Sequence, residues 1–175
     1  MPTKNEIRFG GSGGQGVVLA AQILGNAAAL EGKHSLQTQA YGAEARGSFA
    51  KSEVIISDAR IGFPAVRRPD VLVAMSQESL DTLLKDLKED GVLIVDSSNV
   101  KLPETAKRKQ YSFPATETAR KDFGDAIYAN MIILGALTSK TGLVNNAAME
   151  RAIEQSVPKK TVESNIKAFR KGLNL

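Results

Sequence analysis

The densest chemical signal in the sequence is the run Gly10-Gly11-Ser12-Gly13-Gly14-Gln15-Gly16, which follows a short apolar stretch and opens into a long aliphatic one. Glycines let the backbone approach a ligand closely because no Cβ intervenes. Placed before a helix, such a loop aims free N–H groups outward, and these groups with the helix dipole favour an anion such as phosphate or pyrophosphate. Gly11, Gly13 and Gly16 satisfy G-x-G-x-x-G. That pattern points to a dinucleotide only with a strand before it, a helix after it, and an acidic residue about 20 positions on to hold a ribose. The first two conditions are met. The third is not: Glu31 comes too early and within a predicted helix, while Glu44 comes late, in a loop with Arg46. No Gly-Lys-Ser/Thr closes the run, so the nucleoside-triphosphate version is unsupported. The structural alternative is a tight strand-to-helix turn that needs glycine for packing and binds nothing.

A second cluster is Tyr41-Gly42-Ala43-Glu44-Ala45-Arg46-Gly47-Ser48. The alternating run 35–41 predicts a strand that delivers this loop to the carboxyl edge of the sheet, where open α/β sheets bind ligands. Glu44 and Arg46 beside glycines read as part of a site; the alternative is an exposed ion pair capping a turn, contributing only about 0–1 kcal/mol. The single His34 stands near a strand start and reads as structural, and no cluster of His and carboxylates suggests a metal. The absence of cysteine removes disulfides, thiol nucleophiles and iron–sulfur ligation together.

The elements that must position these clusters follow from periodicity. Residues 6–9 alternate as a first strand, and 17–30 form an apolar helix, stopped by Gly32, whose cover must come from several neighbours. The second strand runs parallel to the first through a βαβ crossover. Residues 49–58 make a third strand partly in the sheet interior, and 61–66 an extended connector. Strand 70–75, a helix N-capped by Ser76 with an apolar face through Leu87, and strand 92–96 form a further unit, whose end gathers Asp96, Ser97, Ser98 and Asn99. Beyond these come a strand at 110–114, a helix from Ala115, a buried helix at 130–137 with Gly135 marking close packing, and a helix at 147–155 begun by Asn145. A last helix starts at Pro158 and stops at Gly172. The fold class is α/β: a mostly parallel, doubly wound, Rossmann-like sheet with helices on both faces.

Composition bounds the rest. A chain of 175 residues holds one α/β domain and is too short for two ordinary ones. With 42% hydrophobic and 24% charged residues it reads as globular. Its apolar runs fall short of the roughly 20 residues a bilayer needs, and Met1 to Glu6 hold no apolar signal core, so a cytoplasmic protein is expected. The net charge of +4 is modest, and basic groups such as Arg67-Arg68 and Lys159-Lys160 lack the aromatic interleaving of nucleic-acid binders. They read as solvated surface or as contacts for an acidic partner subunit.

Four segments in fixed order resemble the gamma subunit of 2-oxoacid:ferredoxin oxidoreductases: Gly11 to Gly16 followed by Val17-Val18-Leu19-Ala20-Ala21, then Tyr41 to Gly47, then Val54-Ile55-Ile56-Ser57-Asp58, then Pro69 to Glu78. The likeness covers nearly the whole chain. It implies a single domain, residues 1–175, in a complex that oxidatively decarboxylates a 2-oxo acid to an acyl-CoA and carbon dioxide with ferredoxin as electron acceptor. It implies that alpha, beta and delta-type partner subunits hold thiamine diphosphate, magnesium and the iron–sulfur clusters, in agreement with the missing cysteines. This chain would then carry no catalytic residue or metal of its own and be inactive alone. For Gly11, Ser12, Gly13, Gly14, Gln15 and Gly16 the resemblance implies contact with coenzyme A. For Tyr41, Glu44 and Arg46 it implies a place at the thiamine-bearing interface near acyl transfer. The family's usual second glycine after the Arg-Gly pair is Ser48 here. The related indolepyruvate oxidoreductase has a similar domain, so the 2-oxo acid is not specified, nor is homodimerisation of the isolated chain. Two other classes stay open: a free-standing nucleotide-binding domain, which lacks its ribose acid, and a purely structural interaction subunit with an empty glycine loop.

Overall fold

In the computed structural model, which describes residues 3–41, 48–103 and 108–175, the chain forms one six-stranded sheet of order β2-β3-β1-β4-β5-β6. The strands are β1 (Lys4–Ser12), β2 (His34–Tyr41), β3 (Phe49–Ser57), β4 (Val71–Ala74), β5 (Val92–Asp96) and β6 (Lys109–Phe113). β1, β4, β5 and β6 pair in parallel, whereas β3 is antiparallel to both β1 and β2. β2 therefore runs in the direction of β1, as the crossover predicts, but is not its neighbour: β3 lies between them. The connection from Tyr41 to Phe49 is too short for a parallel crossover, which takes a dozen or more residues, so β3 has to return antiparallel. Its start then lies at the carboxyl edge of the other strands, with Phe49 opposite Ser12 and Ala50 opposite both Gly11 and Tyr41.

The helices are α1 (Val17–Leu30), α2 (Gln77–Leu83), α3 (Ala115–Phe123), α4 (Ala129–Thr141), α5 (Asn146–Ser156) and α6 (Val162–Leu173). They cover the two faces unequally. Five of them share one large core with Ile7, Phe9, Val71, Val73 and Ile94, while α2 alone builds the smaller core with Leu72, Ala74, Leu93 and Val95. The alternating burial of strand residues to two faces is the period-2 geometry of a doubly covered sheet. Ser76 caps α2 as expected, its hydroxyl accepting the Ser79 N–H at 3.2 Å, but the helix ends at Leu83 and a 3₁₀ turn, Leu84–Asp86, carries the chain to the buried Leu87.

α1 finds its cover within the chain, from β1, β2 and β3 on one side and α4 and α5 on the other. Glu31, just past its end, accepts the Asn145 N–H that begins α5 and pairs with Lys33 at 2.8 Å. Burial raises the Glu31 pKa, and the bonds from Lys33 and Asn145 outweigh it, so the carboxyl titrates below its usual range. α4 is buried nearly end to end and crosses α6 where Gly135 meets Gly172. A Cβ on Gly135 would lie 2.7 Å from Leu173 N, and one on Gly172 would lie 2.8 Å from Ile132 C, so the two backbones touch. Gly172 thus lies in the last turn of α6, one residue before its end at Leu173, where its role is the close contact with α4. The bidentate Arg170–Glu150 pair, with both bonds at 2.7 Å, ties α6 to α5 and holds the Glu150 carboxyl below its usual range. Among the described residues no helix is long and apolar enough to cross a membrane.

Candidate functional site

The glycine run divides between strand and turn. Gly10, Gly11 and Ser12 are the last residues of β1, paired with Lys51, Ala50 and Phe49, and only Gly13 to Gly16 form the turn into α1. Gly16 is the helix N-cap in a left-handed conformation, φ 73°. A side chain there would also meet Asn130, whose Cγ lies 3.0 Å from the Cβ position. Glycine is therefore required at Gly16 for both backbone and space. Asn130, at the start of α4, donates through Nδ2 to Gly16 O at 3.3 Å and so fixes the two helix starts to each other.

Gln15 braces the turn from inside. Its Oε1 accepts the Ser12 N–H at 2.7 Å and its Nε2 donates to Met75 O at 2.8 Å, just beyond β4. The Gly13 N–H donates to Ser48 O at 2.8 Å, tying the turn to the chain that enters β3. Gly14 and Gly16 N–H groups make no hydrogen bond to the described residues, and Gly14 is exposed. The turn thus presents backbone donors at a helix start, at the junction of β1 and β4. There the connections leave the sheet in opposite directions, α1 leading towards β2 and α2 towards β5. Such a topological switch point is where open α/β sheets hold ligands.

A cleft of about 370 Å³ occupies that position, lined by Gly14, Gln15, Met75, Asn99, Thr116 and Arg120, with Asp125 and Ile127 at its α4 side. Arg120 is exposed, on the outer part of α3. Asp125 opposes its charge, although its Oδ1 is committed to the Ile127 N–H at 2.9 Å. Ile127 is 63% exposed. The wall between glycine turn and α3 is organised by Asp96, which is fully buried at the end of β5. Its carboxylate accepts the Ser98 N–H at 3.1 Å, the Thr116 N–H at 3.2 Å, the Asn99 Nδ2 at 3.1 Å and the Thr116 hydroxyl. Preorganised backbone donors, one exposed cation and a hydrogen-bonded polar wall suit an anionic group attached to a polar body. A more open hollow of about 470 Å³ at the opposite edge is lined by Lys4, Phe63, Arg67 and Lys88. Lys4 and Lys88 there are already paired with Glu6 and Asp70, and the hollow faces away from the carboxyl ends of the parallel strands.

Of the six glycine-run residues expected to bind a cofactor, Gly14 and Gln15 line the cleft, whereas Gly11 is buried in β1 and Gly13 and Gly16 support the turn. The side-chain amide of Gln15 is used internally. Of the second cluster, the backbone of Tyr41 closes β2, and Glu44 and Arg46 lie outside the described residues. Thr116, Arg120 and Asp125 carry no sequence motif. The polar run Asp96 to Asn99 after an apolar strand is the one signal that points to this wall.

A family model described as pyruvate ferredoxin/flavodoxin oxidoreductase matches residues 6–175. The chain belongs to this family. The 2-oxoglutarate synthase subunit KorC of Methanothermobacter marburgensis is 48% identical over 179 residues, covering 98% of this chain and 96% of that subunit. The crystal structure of a keto/oxoacid ferredoxin oxidoreductase gamma subunit from Geobacter sulfurreducens PCA is similar throughout, with a TM-score of 0.86 at 45% identity and coverage of 97% and 96%. The fold recurs inside a longer chain, the 2-oxoglutarate:ferredoxin oxidoreductase of Magnetococcus marinus, solved with 2-oxoglutarate, coenzyme A and succinyl-CoA bound. There the TM-score is 0.89 at 22% identity, over 98% of this chain and 30% of that one. The chain is a gamma subunit of a 2-oxoacid:ferredoxin oxidoreductase, a part of a multisubunit oxidoreductase complex.

Proposed function

We propose that this gamma subunit contributes the coenzyme A phosphate site of a complex acting on 2-oxoglutarate, yielding succinyl-CoA and carbon dioxide with ferredoxin as acceptor. The observation that carries the reading is the meeting of Gly14, whose amide is unengaged among the described residues, and the exposed Arg120 on one cleft at the switch point, beside the start of α1. A phosphate oxygen accepts from amides and guanidinium alike, and a helix start favours its charge. The residues present therefore fit the charged end of coenzyme A. Naming 2-oxoglutarate rests on the KorC relative at 48% identity, and naming coenzyme A draws also on the fold's occurrence in an enzyme that holds it.

The chain has no cysteine thiolate to hold an iron–sulfur cluster, and the role that its cleft supports is to bind and orient. Coenzyme A, when bound, supplies the thiol that accepts the acyl group. Alpha, beta and delta-type partners would hold thiamine diphosphate, magnesium and iron–sulfur clusters, and the gamma subunit alone would be inactive. The end of β2 at Tyr41 and the start of β3 at Phe49 lie at the same sheet edge as the glycine turn, which supports a place for the Tyr41, Glu44 and Arg46 cluster at the thiamine-bearing interface.

Reconstitution of the complex tests these assignments together. With a panel of 2-oxo acids, 2-oxoglutarate should give the highest kcat/KM. Arg120→Glu should weaken coenzyme A in calorimetry and raise its KM by about tenfold or more, since a hydrogen bond to a charged group is worth about 1.5–3 kcal/mol. Equal affinities would refute the cleft. Arg46→Ala should lower turnover or assembly, and a complex unchanged in both would remove the loop from the interface.

A further inference from the structure

Asn99 sits on the cleft wall with its side-chain orientation fixed by its neighbours. Its Nδ2 donates to Asp96 Oδ2 and to Thr116 Oγ1, both at 3.1 Å. Asp96 is a carboxylate with only acceptors to offer, and the Thr116 hydroxyl spends its own proton on Asp96, leaving a lone pair for Asn99. Both partners thus demand donors, so the amide has to turn its NH2 towards them and its Oδ1 away. Oδ1 makes no hydrogen bond to the described residues, and Asn99 is exposed where it lines the cleft. A fully buried carboxylate therefore holds one unspent acceptor in place, across the cleft from the backbone donors of the glycine turn and beside the cation of Arg120.

From this we infer that Asn99 Oδ1 is a specificity contact that accepts an N–H of the ligand, with Asp96 and Thr116 as positioning residues. The inference rests on the coenzyme A reading of the cleft. That ligand carries N–H donors of two kinds, the 6-amino group of its purine and the amides of its pantetheine arm. Ionised phosphate oxygens offer no donor, so Asn99 favours a phosphorylated ligand with an N–H-bearing body over inorganic phosphate. Sequence pattern alone does not reveal this, because the direction of an Asn amide depends on what its partners can donate.

The test uses the assembled complex, calorimetry and steady-state kinetics, with coenzyme A and its deaminated analogue, in which a 6-oxo group replaces the purine amine. Asn99→Ala and Asn99→Ser should each weaken coenzyme A by about three- to tenfold, the usual range for a neutral hydrogen bond. The loss should appear in the KM for coenzyme A and leave kcat and the KM for the 2-oxo acid unchanged. If the contact is the purine amine, the wild type prefers coenzyme A to the analogue and the variants lose that preference. If it is a pantetheine amide, the variants weaken both ligands equally. Wild-type affinity in both Asn99 variants, alongside a loss in Arg120→Glu, would overturn the inference and leave the cleft reading standing. Unchanged affinity in all three variants would overturn both.

Discussion

Arg8→Ala should destabilise the subunit by about 3–5 kcal/mol, the cost of removing one partner from a buried ion pair. Arg8 is 3% exposed in β1, on the thinly covered face of the sheet. Its Nε donates to Glu53 Oε1 at 2.8 Å, directly across the β1–β3 register, its Nη1 to Asp86 at 2.7 Å, and its Nη2 to Val66 O at 2.8 Å. One side chain thus ties together the reversed strand, the turn after α2 and the connector that precedes β4. The alanine variant would leave Glu53 in a buried position with, among the described residues, Lys51 at 3.2 Å and Thr38 at 3.4 Å. Those two contacts set the loss near the lower end of the range. The double variant Arg8→Met, Glu53→Leu should lose much less than Arg8→Ala, because it removes the buried charges as a pair. Urea unfolding of the isolated chain measures both, and a double variant no more stable than Arg8→Ala would show that Arg8 acts through packing of its stem instead of through the pair.

The contrast between Arg8 and Gly16 shows what this sequence discloses. Element type is legible wherever one local rule dominates: the apolar runs of β4 and β5, the Ser76 and Asn145 caps, the glycine after α1. The mostly parallel α/β class follows from strands alternating with helices, and four ordered motifs lead to the family. Strand order is not local. Nothing in residues 49–58 distinguishes a parallel strand from one that turns back between its predecessors; only the length of the connection does. Arg8 likewise looks like the polar member of an alternating strand, because the charges that make its burial tolerable come from 45 and 78 residues away. Gly172 looks like a helix stop because its neighbour Gly135 lies on a different helix. In the site, the glycine turn is legible as chemistry and the opposite wall is not: Thr116 and Arg120 reach the cleft through the fold, and their residue types are common on any amphipathic helix.

That wall also has the largest expected functional sensitivity at a residue buried away from any ligand. Asp96→Ala removes the acceptor of four bonds, and Thr116, itself buried, contributes the N–H and the hydroxyl among them. Each buried donor left without an acceptor costs about 1–3 kcal/mol, so the variant should lose on the order of 2–5 kcal/mol in urea unfolding. Asp96→Asn should fall between it and the wild type: one oxygen is kept, but the introduced NH2 faces a group that also donates. The functional consequence differs from that of Arg8. With Asp96 replaced, nothing obliges the Asn99 amide to face inward, and its Oδ1 is no longer fixed in the cleft. At a temperature where the variant complex is fully assembled, the KM for coenzyme A should therefore rise in Asp96→Asn, whereas in an Arg8 variant it should stay at the wild-type value once stability is matched. Equal KM values in the two variants would reduce Asp96 to a purely structural residue.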